Sequence, residues 1–375
     1  MLKVAIVGCG KIADEHASSI GRIKGCEIVG VCDREPLMAQ QLAERFGIKR
    51  HFTELTELLS EMRPDVVHIT TPPFSHFELA KLCLESGCHV YVEKPFTLCL
   101  QEAEGLIALA ENRRLKITAG HDDQFRNAAR RMRGLVQSGY LGGAPVHMES
   151  YYCYELGRSD YARALISDKA HWVRRLPGRL LQNIISHGIA RIAEFFTSES
   201  PNVMAFGFIS PFLRSLGETE IIDELRVTIA EESGTTAYFT FSSQMRPALH
   251  QFRIYGPENG LMVDQDEETL IKLGGKRYKS YAEKFLPPVA YAQQYLGNLK
   301  TNLGSFLGRD FHIKAGMKYL IESFYRSIEE NTPPPIPYRE ILLATRIMDD
   351  IFAQLYARET HAGNYKMQGV GTLVE

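Results

Sequence analysis

The chain lacks several features that would place it at once in a special class of protein. It has one tryptophan, and its seven cysteines include no CxxC pair, so the sequence predicts neither a zinc site nor a disulfide framework. The formal net charge of -2 argues against bulk attraction to nucleic acid or anionic membrane. No apolar run reaches the roughly 18 residues of a membrane span. We therefore expect no metal, no nucleic acid and no membrane among its partners.

The N-terminal residues enter directly into an apolar run, Lys3-Val4-Ala5-Ile6-Val7. No charged segment followed by a long apolar stretch precedes it, so we expect no signal peptide. Scattered cysteines are typical of reduced proteins, which predicts a cytoplasmic location.

The first 120 residues alternate short apolar runs with helical periodicity. Strands are predicted at 4–7, 27–32, 65–69, 89–92 and 115–118. Such alternation is typical of βαβ units and of a parallel sheet covered on both faces. We expect an α/β, Rossmann-type doubly wound domain over residues 1–120.

The pattern changes after residue 120. Runs of period two at 203–208, 224–230, 235–241, 251–255 and 260–263 follow one another with little helix between them, which predicts an antiparallel sheet. Longer helices are predicted at 282–306, 314–329 and 338–356. We expect an α+β domain with a large, mostly antiparallel open sheet over 121–360, and a polar tail over 361–375.

A glycine-rich turn, Gly8-Cys9-Gly10-Lys11-Ile12-Ala13, joins the first predicted strand to the first predicted helix. Gly8 permits a tight turn, and Gly10 lets the backbone approach a pyrophosphate. The helix N-terminus offers free N–H groups and a positive dipole to the phosphates. We therefore predict dinucleotide contacts at Gly8, Gly10, Lys11 and Ile12.

Asp33 ends the second predicted strand, at the distance from the turn where an acidic residue binds the adenosine ribose. Its carboxylate can accept hydrogen bonds from the ribose hydroxyls and would repel a 2′-phosphate, which favours NAD over NADP. The guanidinium of Arg34 could hold such a phosphate, so NADP is not excluded. Both residues are predicted to contact the cofactor.

Two further segments follow predicted parallel strands, namely Thr70-Thr71-Pro72-Pro73-Phe74-Ser75-His76 and Glu93-Lys94-Pro95. Ligands bind at the carboxyl ends of strands in open α/β sheets, and the prolines favour an extended chain there. Cofactor contacts are therefore predicted at Thr70, Thr71, Pro72, His76, Glu93 and Lys94.

Together these segments resemble the Gfo/Idh/MocA family of oxidoreductases. The matching elements are GCGKIA, TPPFSH, the Gly87-Cys88-His89-Val90 segment and the Glu93-Lys94-Pro95 tripeptide, in the family's order and spacing. The resemblance implies an NAD(P)-dependent oxidoreductase acting on a sugar, polyol or sugar nucleotide. It also implies a second domain that binds substrate and packs its open sheet against another subunit, in a homodimer or homotetramer.

By this resemblance, Lys94 lies beside the nicotinamide and the substrate hydroxyl. An ammonium group there can orient the hydroxyl and stabilise a developing alkoxide. The resemblance also implies a polar contact with substrate at His121, where the second domain begins.

In the family, a helix of the second domain carries an aspartate and, four residues later, a histidine. Trp172, predicted to contact substrate, and a Pro177-Gly178 turn precede the matching segment, Asn183-Ile184-Ile185-Ser186-His187. Residues four apart share one helix face, so Asn183 and His187 are both predicted at the substrate. His187 is the candidate general base, because imidazole titrates near neutral pH.

Asn183 replaces the family's aspartate. An amide can hydrogen-bond a hydroxyl, but it cannot stabilise an imidazolium by charge. The change fits a substrate that brings its own carboxylate or phosphate, paired by Arg191 or by Arg174-Arg175. Two other functions stay open: an NAD-dependent glycoside hydrolase that uses transient oxidation, and a non-catalytic dinucleotide-binding regulator.

Overall fold

The computed structural model describes residues 1–155, 168–274, 279, 281–308, 311–312 and 314–356, so the predicted tail over 361–375 lies outside the described residues. Among the described residues, no helix combines the length and apolarity needed to cross a membrane.

The N-terminal part forms a six-stranded parallel sheet with strand order β3-β2-β1-β4-β5-β6. Its strands are β1 (Leu2–Val7), β2 (Cys26–Cys32), β3 (His51–Phe52), β4 (Val66–Ile69), β5 (His89–Val92) and β6 (Ile117–Ala119). The connecting helices are α1 (Lys11–Ile20), α2 (Pro36–Phe46), α3 (Leu55–Met62), α4 (His76–Glu85) and α5 (Leu100–Asn112). The strand order reverses between β1 and β4, which creates a crevice at their carboxyl ends. The predicted Rossmann-type sheet is confirmed.

The second sheet has seven strands in the order β13-β12-β11-β7-β10-β9-β8. They are β7 (His147–Cys153), β8 (Asn202–Phe208), β9 (Glu224–Ala230), β10 (Thr236–Ser242), β11 (Leu249–Tyr255), β12 (Asn259–Asp264) and β13 (Thr269–Gly274). Only the β7–β10 pair is parallel among these described strands. The predicted large, mostly antiparallel sheet is confirmed.

Seven further helices follow residue 120 in the described residues. They are α6 (Asn127–Gln137), α7 (Arg179–Ile184), α8 (Ser186–Ala193), α9 (Pro211–Ser215), α10 (Ala282–Leu307), α11 (Ala315–Glu329) and α12 (Tyr338–Tyr356). Helix α8 lies on β7, and α12 packs on α8, β8 and α5. These helices leave the opposite face of the sheet open, where Met204, Phe206 and Tyr238 are exposed.

Helix α11 packs in the core of the first sheet rather than the second. Its apolar side chains Met317, Leu320, Ile321 and Phe324 are buried there, and the helix contacts α1. A segment that follows the second sheet along the chain therefore completes the dinucleotide-binding layer. The division of the chain at residue 120 stays a prediction.

The predicted continuous helix through Asn183 and His187 is wrong in one respect. Helix α7 ends at Ile184, Ile185 lies between the two helices, and α8 begins at Ser186. Just after this break, Gly188 lies so close to β7 and β10 that a Cβ would overlap the Phe239 ring. The break therefore places His187 in the first turn of a helix that lies flat on the second sheet.

Candidate active site

The glycine-rich turn is built for close approach at the carboxyl end of β1. Gly8 has a φ of 93°, and a Cβ there would lie 2.7 Å from the backbone nitrogen of Thr71, so only glycine fits. Thr70 Oγ1 donates to the carbonyl of Gly8 at 2.6 Å. Beside Gly10, which caps α1, no atom lies within 4 Å of an added Cβ. This open cradle at a helix N-terminus fits a pyrophosphate, so the residues present fit a dinucleotide.

Asp33 holds this turn through its carboxylate. Its Oδ2 accepts from the amide of Cys9 at 2.6 Å, and its Oδ1 accepts from the amide of Glu35 at 2.9 Å. Arg34 is exposed beside it. A carboxylate fixed at the end of β2 fits two ribose hydroxyls better than a phosphate.

His76 joins the two strand-end loops that were predicted to contact the cofactor. Its ring is fully buried, with Nδ1 2.9 Å from the Pro95 carbonyl and Nε2 2.9 Å from the Thr71 carbonyl. Burial lowers the pKa of His76, and a neutral imidazole donates from one nitrogen only. Its contacts in the structure are to these loops, and a contact with the cofactor stays a prediction.

A buried chain of polar side chains leads to Glu93. Its Oε1 lies 2.9 Å from His16 Nε2, His16 Nδ1 lies 2.8 Å from His68 Nδ1, and His68 Nε2 lies 2.7 Å from the Tyr325 hydroxyl. Burial alone would raise the pKa of Glu93. The hydrogen bond from His16 and the charges of His16 and Lys94 lower that pKa to about 2. An ionised Glu93 can only accept, so His16 Nε2 is the donor.

Lys94 reaches from the first sheet toward the second. Its Nζ donates to the carbonyl oxygen of Asn183 at 3.0 Å. Burial lowers the pKa of the Lys94 ammonium, while the charges of Glu93 and Asp122 oppose that effect. The lysine is therefore positioned between the strand that carries it and helix α7.

His187 lies in helix α8, on the side of the crevice opposite Lys94. It is buried, and its Nδ1 has no hydrogen-bond partner among the described residues. Its ring centroid is 6.1 Å from that of His121 and 5.9 Å from that of Tyr152. Burial lowers the pKa of His187 to about 3, although the charge of Asp123 opposes it. Both His187 and His121, whose pKa burial lowers to about 4, are therefore neutral at neutral pH.

The structure thus brings Lys94, Asn183, His121 and His187 together. Trp172 instead packs against a small apolar cluster that includes Val173, Leu176 and Leu180. A contact between Trp172 and substrate stays a prediction.

Sequence reasoning missed two acidic residues, Asp122 and Asp123. They follow β6 in a short 3-10 helix, and His187 Nδ1 lies 3.8 Å from Asp122 Oδ1 and 4.0 Å from Asp123 Oδ2. Burial and the neighbouring Asp123 raise the pKa of Asp122 to about 7. The signal was available, because polar residues after a parallel strand lie at the ligand edge of the sheet.

Two of the arginines predicted to pair with a substrate anion are already paired. Arg191 is buried and donates to Asp123 Oδ2 at 3.3 Å and to Gln265. Arg174 donates to Glu218. Arg175 is exposed, with its guanidinium 5.9 Å from the ring centroid of Phe74. The charges of Arg191 and Arg174 are therefore neutralised by carboxylates of the protein itself.

A parallel sheet with an open glycine turn at its switch point, and a lysine and a neutral imidazole facing one crevice, define an NAD(P)-dependent oxidoreductase. A family model described as an oxidoreductase family with an NAD-binding Rossmann fold matches residues 2–121. This is the Gfo/Idh/MocA family, and the match covers the N-terminal part of the chain.

Several dehydrogenases are similar to this chain. The 4-carboxy-2-hydroxymuconate-6-semialdehyde dehydrogenase of a Sphingobium species is 22% identical, over 72% of this chain and 81% of that protein. The UDP-N-acetylglucosamine 3-dehydrogenase of Acidithiobacillus ferrooxidans is 26% identical, over 72% and 76%. Among solved structures, scyllo-inositol dehydrogenase from Lactobacillus casei, with bound NAD(H) and scyllo-inositol, superposes with a TM-score of 0.70 at 20% identity. The superposition covers 95% of this chain and 98% of that chain, and it shows the shared fold.

Proposed function

We propose that this chain is a dehydrogenase or reductase of a sugar, a polyol or a sugar nucleotide. The observation that carries the proposal is the position of both groups at the carboxyl edge of the parallel strands. Lys94, after β5, donates to the carbonyl of Asn183, and His187 lies 3.8 Å from Asp122, which follows β6. The relatives named as acting on UDP-N-acetylglucosamine and scyllo-inositol support this class of substrate.

The residues divide the reaction between them. When bound, the nicotinamide exchanges hydride with the substrate carbon. Lys94 donates a hydrogen bond to the substrate oxygen and stabilises its developing negative charge. His187 takes the hydroxyl proton during oxidation and returns it during reduction. Asn183, His121 and Trp172 hold the substrate in the crevice.

The cofactor contacts follow from the same crevice. Backbone amides near Gly8, Gly10, Lys11 and Ile12 hold the pyrophosphate, and Asp33 accepts from the adenosine ribose. This arrangement favours NAD, with Arg34 as the group that would admit NADP. The loops at Thr70, Thr71, Pro72 and Glu93 border the nicotinamide. All seven cysteines are free thiols, which fits a reducing cytoplasm.

Neither alternative function is favoured by the relatives, which are named as dehydrogenases. A hydrolase would break a glycosidic bond without accumulating reduced cofactor. A regulator would bind cofactor and turn over nothing. Both outcomes are visible in the experiment that tests the proposed reaction.

The test compares Lys94→Ala with wild type on a panel of sugars, inositols and sugar nucleotides, following the absorbance of reduced nicotinamide. We expect wild type to reduce NAD with at least one member. Lys94→Ala should lose turnover by at least about 100-fold while it still binds NAD in calorimetry. The matched control is Lys81→Ala, on an exposed position of α4, which should behave as wild type. Normal turnover by Lys94→Ala would contradict the assignment.

Helix α10 supports a homo-oligomer. Side chains with alternating spacings of four and three residues form an exposed stripe along it: Phe285, Val289, Ala292, Leu296, Leu299, Leu303 and Phe306. The opposite, polar side of the helix faces the protein, where Asn298 is buried and its side chain bonds the backbone of Leu270 at 2.9 and 3.1 Å. This spacing is typical of helices that pair along an apolar seam.

A second copy of the chain is the occupant that this stripe fits. An ordinary monomer exposes apolar patches of about 300–600 Å² at most, and each phenylalanine of the stripe can bury about 150–250 Å². With its leucines, the stripe approaches the roughly 800 Å² that each partner gives to a stable interface. Two antiparallel copies of α10 would cover it about a twofold axis. The open face of the second sheet would provide the second contact of a tetramer.

Light scattering tests this assembly. The double variant Leu299→Glu, Leu303→Glu should halve the particle mass, whereas the charge-reversal control Lys300→Glu should leave it unchanged. A monomeric wild type, or an unchanged mass in the double variant, would contradict pairing through α10.

A further inference from the structure

We propose that Asp123, with Asp122 beside it, is the acidic partner of His187 and takes the place of the aspartate that Asn183 replaces. The inference rests on the proposed function, because it assigns a positioning role within that reaction. Both carboxylates follow β6, whereas the family's aspartate belongs to the histidine's own helix. The negative charge beside the histidine therefore comes from the edge of the first sheet in this chain, and not from a helix on the second sheet as in the family.

The first support is the orientation of His187. Its Nδ1 is the buried ring nitrogen without a partner, and it lies 3.8 Å from Asp122 Oδ1 and 4.0 Å from Asp123 Oδ2. Catalytic hydrogen bonds are often this long before substrate binds. A proton on Nδ1 therefore has carboxylate acceptors on its side, and Nε2 remains the acceptor for the substrate hydroxyl.

The second support is the way Asp123 is held. The Tyr152 hydroxyl donates to Asp123 Oδ2 at 3.0 Å, and Arg191 Nη2 donates to the same oxygen at 3.3 Å. The Gln265 side-chain amide donates to the Asp123 carbonyl at 3.1 Å. A carboxylate held by two donors, on a backbone held by a third, has a defined position and stays ionised, as an orienting group requires.

The proton and the hydride balance without any further reactant. In oxidation the substrate C–H bond breaks and its hydride passes to the nicotinamide, while the hydroxyl proton passes to His187 Nε2. The imidazolium then carries a proton on each nitrogen, and the Nδ1 proton faces the aspartate pair. A negative charge at about 4 Å stabilises this cation, whereas an amide such as Asn183 cannot.

A divalent cation is the competing occupant, since ligand atoms of Asp122, Asp123 and His187 lie within 4.8 Å of one another. Cationic side chains already neutralise part of the negative charge of both carboxylates. The charges of Lys94 and Lys314 act on Asp122, and those of Arg191 and Arg126 act on Asp123. This charge balance favours a proton on His187 over a metal ion.

The pH dependence of the pair involves every charged or titratable group that faces it. These groups are Glu93, Lys94, His121, Arg126, Tyr152, His187, Arg191 and Lys314. Removal of the Asp123 charge destabilises the imidazolium. The acid limb of the kcat profile for oxidation, which reports the protonation of His187, should therefore move to lower pH, and the rate should fall.

The kinetic test uses Asp123→Asn, Asp122→Asn and the double variant Asp123→Asn, Asn183→Asp. We expect Asp123→Asn to lower kcat by about 100-fold, with the KM for substrate and the affinity for NAD within a few fold of wild type. Restoring the aspartate at 183 should recover part of that loss. Unchanged kcat and an unchanged pH profile in both single variants would overturn the proposal.

Two further measurements keep the inference separate from the proposed function. Nitrogen NMR of His187 in wild type should show the proton on Nδ1, and this holds whichever substrate is turned over. A proton on Nε2 would overturn the acidic pairing while leaving the dehydrogenase intact. Stoichiometric manganese or magnesium binding in calorimetry, abolished by Asp122→Asn, would overturn it in favour of a metal site.

Discussion

The ammonium of Lys94 lies 3.0 Å from the main-chain carbonyl oxygen of Asn183. One residue follows a strand of the parallel sheet, and the other lies in α7, which contacts the helix α8 on the second sheet. The bond thus fixes the distance between the two layers at the reacting centre. It uses the backbone of Asn183, so the position of the lysine does not depend on the amide side chain.

Asn183→Ala should therefore separate the two roles of this residue. The carbonyl remains and Lys94 stays in place, while one neutral hydrogen bond to substrate is lost, which costs about 1 kcal/mol. We expect the KM for substrate to rise about fivefold and kcat to change little, measured by steady-state kinetics. A large fall in kcat with unchanged KM would instead assign the side chain to the chemical step.

Gly8→Ala should weaken cofactor binding. A Cβ at this position would lie 2.7 Å from both Thr71 Cγ2 and the Thr71 backbone nitrogen, at a φ of 93°. The turn must distort, at a cost of about 1–3 kcal/mol. Calorimetry should show NAD affinity falling by more than about tenfold. The control is Gly105→Ala, whose Cβ would meet Phe77 at an ordinary 3.7 Å inside α5, and which should bind NAD normally and unfold at the same or a higher temperature.

Asp33→Ser should shift the preference between cofactors. The substitution removes a charge that repels a 2′-phosphate, and it leaves Arg34 free to bind one. It also weakens the turn, because Asp33 accepts from the amide of Cys9. We expect the KM for NAD to rise and the ratio of kcat/KM for NADP to that for NAD to rise at least tenfold. If Arg34→Ala in wild type already lowered activity with NAD tenfold, the assignment of the two residues would be wrong.

Much of this architecture could be predicted from the sequence, because it depends on local patterns. The run from β1 through Gly8 and Gly10 to α1 is contiguous, so its strand, turn and helix signals reinforce one another. Three short elements were missed, namely strand β3 with two residues, strand β13 with six and helix α3 with eight.

The parts of the site that escaped prediction depend on long-range contacts. The buried chain joins residues far apart in the sequence, His68 and Tyr325 by 257 positions and His16 and Glu93 by 77, so no local pattern reveals it. The break at Ile185 follows from the packing of α8 on the second sheet, which no local pattern shows. Asp122 and Asp123 became significant only once α8 placed His187 beside them.

Native cysteine reactivity should follow burial. Burial raises the pKa of Cys9 to about 12 and that of Cys32, Cys88 and Cys153 to about 11, and it raises the pKa of Cys83 further. The thiolate is the reactive form, so these five should resist iodoacetamide at neutral pH. The half-buried Cys26 and Cys99 should be alkylated first, as measured by peptide mass spectrometry. All seven should react in urea, and rapid native labelling of Cys83 would contradict the packing of α4.

Glu93→Gln should destabilise the fold in a manner that depends on pH. The pKa of Glu93 is lowered from an ordinary 4.5 to about 2 in the folded protein, so its ionised form is favoured by folding. That contribution is fully present above about pH 4.5 and is lost as the pH falls toward 2. At about 1.4 kcal/mol per unit it amounts to roughly 3 kcal/mol. Denaturant unfolding should therefore give Glu93→Gln a lower free energy of unfolding than wild type at neutral pH and nearly the same value in acid.

The exposed ion pair between Arg50 and Glu61 offers a control, since Glu61→Gln should change the free energy of unfolding by less than about 1 kcal/mol. If the difference in free energy of unfolding between wild type and Glu93→Gln persisted unchanged down to pH 2, the stabilisation would not come from the charge of the Glu93 carboxylate.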